Sequence, residues 1–159
     1  MSYREVQGNL ITLAQEGEFD LIAHGCNCFC TMGAGLAPQM AKAFGCDKFP
    51  LEHVDYRGDI NKLGQIDVGG FRYLGNDFFV VNCYSQYGFG ANHEEGKVAP
   101  LDYEALILCL RKIGHIFKGK HIGLPQIGCH LAGGDWEVVK EIIKKELSKC
   151  DITIVIYKP

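Results

Sequence analysis

The sequence predicts a three-layer α/β domain built on a central mixed sheet. The prediction rests on three features. Short apolar runs alternate with amphipathic helical stretches, most clearly in the second half of the chain. The middle reads instead as consecutive strands parted by glycine-containing turns, which adds antiparallel pairing. Around residues 24–37 an apolar strand feeds a glycine loop, and a helix leaves it.

The elements follow in order. Residues 3–7 alternate in polarity and read as a strand, broken by Gly8-Asn9. Residues 10–15 read as a short helix, and the apolar run 19–23 as a buried strand because it is too short for a buried helix. A helix is expected from Leu36 to Phe44, with Leu36, Met40 and Ala43 near one face, and a further helical turn over 49–56. Residues 65–68, 71–74 and 78–84 read as three strands, with Gly69-Gly70 and Gly75-Asn76 as the turns between them. Phe78-Phe79-Val80-Val81 is apolar throughout, as expected of a strand covered on both faces. A glycine-rich polar loop spans 88–96. Residues 102–117 form the clearest helix, with Leu106, Leu110 and Ile113 at helical spacing. A short strand over 121–124, a loop over 125–135, an amphipathic helix over 136–147 and a β-branched strand over 152–157 complete the chain.

Composition narrows the partners. The 159 residues are 47% hydrophobic and 22% charged, which favours one domain with one sizeable core. The formal charge of -3 supplies no basic field for general nucleic-acid binding. Lys140, Lys144 and Lys145 read as a solvated helix face. No apolar run is long enough to span a bilayer, and the first residues lack the apolar core of a secretory signal. The expectation is a cytoplasmic, reducing environment and a monomer. Eight cysteines then read as free, mostly buried thiols, with Cys83 and Cys109 inside apolar segments.

Ligand crevices in such sheets lie beyond the carboxyl ends of the strands. Three glycine-bearing loops are expected to converge there, over residues 26–35, 84–96 and 125–134. A glycine loop before a helix N-terminus brings backbone N–H groups close to an anion, which suits phosphate or pyrophosphate. His24, Cys26, Cys28 and Cys30 alternate, unlike the two-residue spacers of structural zinc, so no metal and no cofactor is expected.

At this point the residues resemble the macrodomain family over nearly the whole chain. Gly8-Asn9-Leu10 is similar to that family's Gly-Asp-Ile or Gly-Asp-Leu opening. His24-Gly-Cys-Asn-Cys through Gly33-Ala-Gly-Leu-Ala37 resembles its first phosphate loop, and Leu124-Pro-Gln-Ile-Gly-Cys129 with Trp136-Glu137 its second. Ile154-Val-Ile-Tyr157 resembles its last strand, with an adenine-side aromatic. The resemblance implies an α/β/α macrodomain fold and an ADP-ribose ligand. It is nearest to the yeast-type ADP-ribose 1''-phosphate phosphatases, whose first loop reads His-x-Cys-Asn-Cys, and to the terminal ADP-ribose protein glycohydrolases, which share Pro-x-Ile-Gly-Cys.

The resemblance implies these roles. Asn9 and Leu10 would lie at the adenine, where an Asn carbonyl accepts a hydrogen bond without the charge of Asp. Asn27 would meet the distal ribose. Gly33, Ala34, Gly35, Leu36 and Ala37 would offer N–H groups to the pyrophosphate, and Pro125, Ile127, Gly128, Cys129, His130 and Leu131 would form the second loop. Tyr157 would flank the adenine. His24, with His130 second, is the expected catalytic group, and His93 a further loop histidine. Asp135 is expected to cap a helix, and Trp136 to pack on the core.

The glycohydrolase chemistry does not carry over. Its lysine position falls on Pro100 or Ala99, with Lys97 out of register, and its aspartate position falls on Ala132. Phosphate removal from ADP-ribose 1''-phosphate asks only for positioned N–H groups and an oriented water, and is the expected reaction. Removal of ADP-ribose from modified proteins by other groups, or binding without turnover, are the alternatives.

Overall fold

The computed structural model describes residues 1–33, 35–49, 58–88, 100–129 and 132–158. Among them a six-stranded sheet runs in the order β1-β6-β5-β2-β4-β3. The strands are β1 (Tyr3–Gly8), β2 (Leu21–Asn27), β3 (Ile66–Tyr73), β4 (Asn76–Gln86), β5 (His121–Leu124) and β6 (Asp151–Tyr157). All neighbouring pairs are parallel except β3 with β4. The helices are α1 (Leu10–Gln15), α2 (Ala37–Phe44), α3 (Tyr103–Ile116) and α4 (Trp136–Glu146). The mixed α/β architecture is the one the sequence predicts.

Each strand of the centre is apolar on both faces because each face is covered. On β2, Leu21 and Ala23 join Val81, Cys83 and Leu124 beneath Leu106, Leu110 and Ile113 of α3 and Val139 and Ile143 of α4. Ile22 of the same strand turns the other way, to Phe78, Val80, Leu10 and Ile11 of α1, and Met40 and Phe44 of α2. The result is two cores on either side of one sheet. Each fully buried Leu or Ile contributes about 1.5–3 kcal/mol to holding the layers together.

Caps fix where the long helices begin. Asp102 accepts from Ala105 N at 3.0 Å to open α3. Asp135 accepts from Glu137 N at 3.0 Å to open α4, as expected of it. Trp136 is half-buried against the α3–α4 core.

Three expectations need correction. β2 starts two residues later than the apolar run and continues through His24, Gly25, Cys26 and Asn27, which pair with β4 rather than form loop. The longer β4 carries the ladder past the apolar run: its backbone pairs with these polar residues, while β5 pairs only at Leu21 and Ile22. Second, Gly69-Gly70 is not a turn: β3 passes straight through it, paired with Val80 and Phe79. The glycine is there for space, since a Cβ on Gly69 would run into the Phe49 ring. Third, the hairpin turn is Leu74-Gly75, both with positive φ (53° and 81°), and Asn76 already belongs to β4. Two consecutive left-handed residues make the tight turn whose twist matches the strands. The helical turn expected over 49–56 and most of the 88–96 loop lie outside the described residues.

Candidate functional site

A cleft of about 400 Å³ opens beyond the carboxyl ends of β2, β4 and β5. Three segments build it. The end of β2 and the loop after it bring His24, Asn27, Gly33, Gly35, Leu36 and Ala37. The end of β4 brings Gln86, and the loop after β5 brings Pro125, Gln126, Ile127, Gly128 and Ala132. A wider groove of about 530 Å³ lies between α3 and α4 beside the Arg111–Glu146 ion pair. It is a channel between two solvent-facing helix surfaces, away from the strand ends, so we place the site in the smaller cleft.

The first loop is shaped by Asn27. Its Oδ1 accepts from Phe29 N (3.0 Å) and Thr31 N (3.1 Å), while its Nδ2 donates to Thr31 O (2.8 Å). This clip folds the chain back at the strand end, so the side chain's main bonds are local turn bonds. Gly35 has φ 70°, a left-handed conformation that admits a side chain only with strain. α2 then begins at Ala37, after Leu36 with no side-chain cap; Pro38 has no N–H, so the first turn leaves the N–H groups of Ala37 and Gln39 without a capping side chain at the cleft edge.

His24 lies behind this loop, 2% exposed. Its Nε2 is 2.7 Å from Asn82 Oδ1, and Asn82 Nδ2 donates to Cys46 O at 2.9 Å. The second bond sets the Asn82 amide, so Oδ1 accepts and His24 Nε2–H donates. The imidazole is therefore the Nε2–H tautomer, with its lone pair on Nδ1. Cys26 Sγ and Cys46 Sγ pack at 3.4 and 3.6 Å from Nε2. Burial drives the His24 pKa down to about 4, against the opposing pull of the Asn82 bond. It is neutral at neutral pH and brings no positive charge to the cleft. Burial likewise pushes the Cys46 thiol up to about 12 and the Cys28 thiol up to about 11. All eight cysteines are free thiols.

No described residue lining the cleft carries a charge at neutral pH. An anion there meets backbone N–H groups and neutral side chains. Among the described residues no group of three or more His, Cys, Asp or Glu forms a metal-holding set, and no helix is long and apolar enough to cross a membrane.

Of the residues picked from sequence, His24, Asn27, Gly33, Gly35, Leu36, Ala37, Pro125, Ile127 and Gly128 meet at the cleft. Asn9 does not line it: its Oδ1 caps α1 by accepting from Thr12 N at 3.1 Å. Leu10 is buried in the α1–α2 core, and Cys129 Sγ donates to Ile127 O at 3.3 Å. Tyr157 is exposed at the end of β6, in register with Gly8. Ala34, His130 and Leu131 lie outside the described residues, as do His93, Lys97 and Ala99. Sequence reasoning expected the loops over 26–35, 84–96 and 125–134 to converge here, as the described parts of them do, but named none of Gly25, Gln86 and Gln126 as a site residue. Only the pairing of Asn27 with Gln86 brings the end of β4 to the first loop, and strand order is not written in local pattern.

No family model matches the chain. It is 33% identical, over all of its length and 99% of the relative's, to an uncharacterized 17.5 kDa protein of the tk–vs intergenic region of Enterobacteria phage T4. Among solved structures it is similar to the macrodomain of Thermus aquaticus DarG, with a TM-score of 0.68 and 23% identity across 99% of this chain and 98% of that one. It also matches Thermosipho africanus DarTG in complex with ADP-ribose, with a TM-score of 0.68 and 18% identity, over 100% of this chain and 42% of that one. The chain thus belongs to the family of the phage T4 17.5 kDa protein, and its fold is the macrodomain fold.

Proposed function

We propose that the cleft binds ADP-ribose and that the protein removes the terminal phosphate of ADP-ribose 1''-phosphate. The observation that carries the binding is the cleft itself: two glycine loops and an uncapped helix N-terminus face each other across the carboxyl ends of a parallel sheet. The similarity to Thermosipho africanus DarTG, solved in complex with ADP-ribose, supports the choice of ligand. In this reading the loop N–H groups hold the phosphates and stabilise charge that develops as the phosphate ester bond breaks. The neutral His24 orients water through its Nδ1 lone pair instead of holding a proton for the leaving group.

A second reading, an ADP-ribose binder without turnover, is favoured by one observation. His24 Nε2 is committed to Asn82, and no other described lining residue is a proton-transfer group at neutral pH.

The test is incubation of the purified protein with ADP-ribose 1''-phosphate and, separately, with ADP-ribosylated protein. Phosphate release supports the first reading. Release of ADP-ribose would replace it with a glycohydrolase, and tight binding without either product would leave the binder. His24→Ala is expected to lower phosphate release by about 100-fold or more while ADP-ribose affinity stays within a few-fold. Unchanged turnover in a folded variant removes His24 from the mechanism.

A further inference from the structure

Most polar side chains of the cleft already have a protein partner. His24 is held by Asn82, and Gln86 Nε2 donates to Gly88 O at 2.8 Å. Asn27 is 5% exposed, and its Oδ1 is taken up by Phe29 N and Thr31 N. Thr31 is different. It lines the cleft, it is exposed, and its Oγ1 makes no hydrogen bond to a described residue. Among the described lining residues it carries the only hydroxyl.

The backbone under that hydroxyl is fixed although the side chain faces solvent. Asn27 grips both polar groups of Thr31, accepting from its N at 3.1 Å and donating to its O at 2.8 Å. The residue before it, Cys30, sits at φ 57°, a left-handed conformation that a residue with a side chain holds only where its surroundings impose it. Here they do: Cys30 N donates to Asn27 O at 3.1 Å, and its buried Sγ donates to the Tyr84 hydroxyl at 3.6 Å. Thr is β-branched, so its χ1 is itself restricted. A hydroxyl mounted this way loses little freedom on meeting a ligand, and little of its hydrogen-bond energy is spent on ordering. Gln126 of the other loop also lines the cleft, but its longer side chain would lose more rotamer freedom.

Thr31 heads the stretch that carries Gly33 and Gly35 into the uncapped start of α2. We infer that the Thr31 hydroxyl donates a hydrogen bond to a phosphate oxygen of the bound ligand. The inference rests on the reading of the cleft as an ADP-ribose site, and it adds a side-chain donor to the backbone amides of the loops. The chemistry suits an anionic oxygen, because hydrogen bonds to charged groups are the stronger kind and a hydroxyl donates one without bringing charge of its own.

The experiment is calorimetric titration of ADP-ribose into wild type, Thr31→Val and Thr31→Ser, with melting of each free protein and phosphorus NMR spectra of the bound ligand. Val keeps the shape of Thr and removes the hydroxyl, whereas Ser keeps the hydroxyl. Thr31→Val is expected to weaken ADP-ribose binding by about 10-fold or more, to melt with wild type, and to shift a phosphorus resonance of bound ADP-ribose. Thr31→Ser is expected to restore both the affinity and the resonance. Equal ADP-ribose affinity in Thr31→Val and wild type overturns the inference alone. A loss of affinity that leaves the phosphorus resonances in place also overturns it, because the hydroxyl then meets a sugar oxygen. A loss that Ser does not restore, or one that comes with a lower melting temperature, overturns it too and marks Thr31 as structural. Wild type that binds no ADP-ribose overturns this inference and the proposed function together.

Discussion

His24 is a buried imidazole held neutral by its surroundings, and that has a consequence for stability. Its pKa falls from 6.5 to about 4 on folding because burial penalises the charged form. The unfolded chain therefore takes up the proton first as pH drops. The contribution is fully present above about pH 6.5 and is lost as pH falls from there through about 4. The full loss is about 3 kcal/mol, with about 2 kcal/mol gone at pH 5. Urea unfolding at pH 7 and pH 5 measures it, and the His24 imidazole resonances should show no protonation above about pH 5. At the first loop, Gly33 and Gly35 separate steric block from strain. A Cβ at Gly33 meets nothing within 4 Å, whereas Gly35 sits at φ 70°. Gly33→Val should leave stability within about 0.5 kcal/mol and weaken ADP-ribose binding by about 10-fold or more, about 1.4 kcal/mol. Gly35→Val should lose affinity and also about 1–2 kcal/mol of stability. Melting and titration of both variants check the contrast.

At the scale of elements, α3 is tied to the site through its first residue. The Asp102 carboxylate caps the helix, while the Asp102 N–H holds the carbonyl of Ser85 at the end of β4. Asp102→Ala should cost about 1 kcal/mol in urea unfolding, the usual value for a lost cap. The helices were legible in sequence because their signals are local: Asp102 and Asp135 as caps, and Leu106, Leu110 and Ile113 at three- and four-residue spacing. The strands were legible where they were purely apolar, as at Phe78 to Val81. They were misread at two kinds of place. His24 to Asn27 is polar yet lies in a central strand, because β4 and not hydropathy sets where β2 ends. Gly69-Gly70 carries a turn signature, but the glycine answers to the Phe49 ring from another element.

At the scale of the molecule, the five mutually parallel strands send their carboxyl ends to one edge, where the loops after β2 and β5 close on the end of β4. The described walls of that cleft are backbone amides and neutral side chains, with no set of carboxylates, cysteines and histidines suited to a divalent cation. Phosphate release from ADP-ribose 1''-phosphate should therefore continue in excess chelator. A rate that collapses with chelator and returns with a divalent ion would show that charge at the phosphate is neutralised by metal and not by the loops.

The sequence by itself determined the class of the fold, the order of nearly all its elements and the two glycine loops that border the cleft. Each of these is a near-neighbour property of the chain: periodicity, capping, or a glycine loop between a strand and a helix. Tertiary structure alone decided the chemistry around them. It buried His24 and made it a neutral donor to Asn82, a residue 58 positions away. It turned the oxygen of Asn9 into a helix cap and the amide of Asn27 into a loop clip. It also brought Gln86 to the first loop through a bulge in the ladder. Protonation state, hydrogen-bond partner and exposure depend on what packs against a group in space, and strand order fixes that only once the sheet has formed.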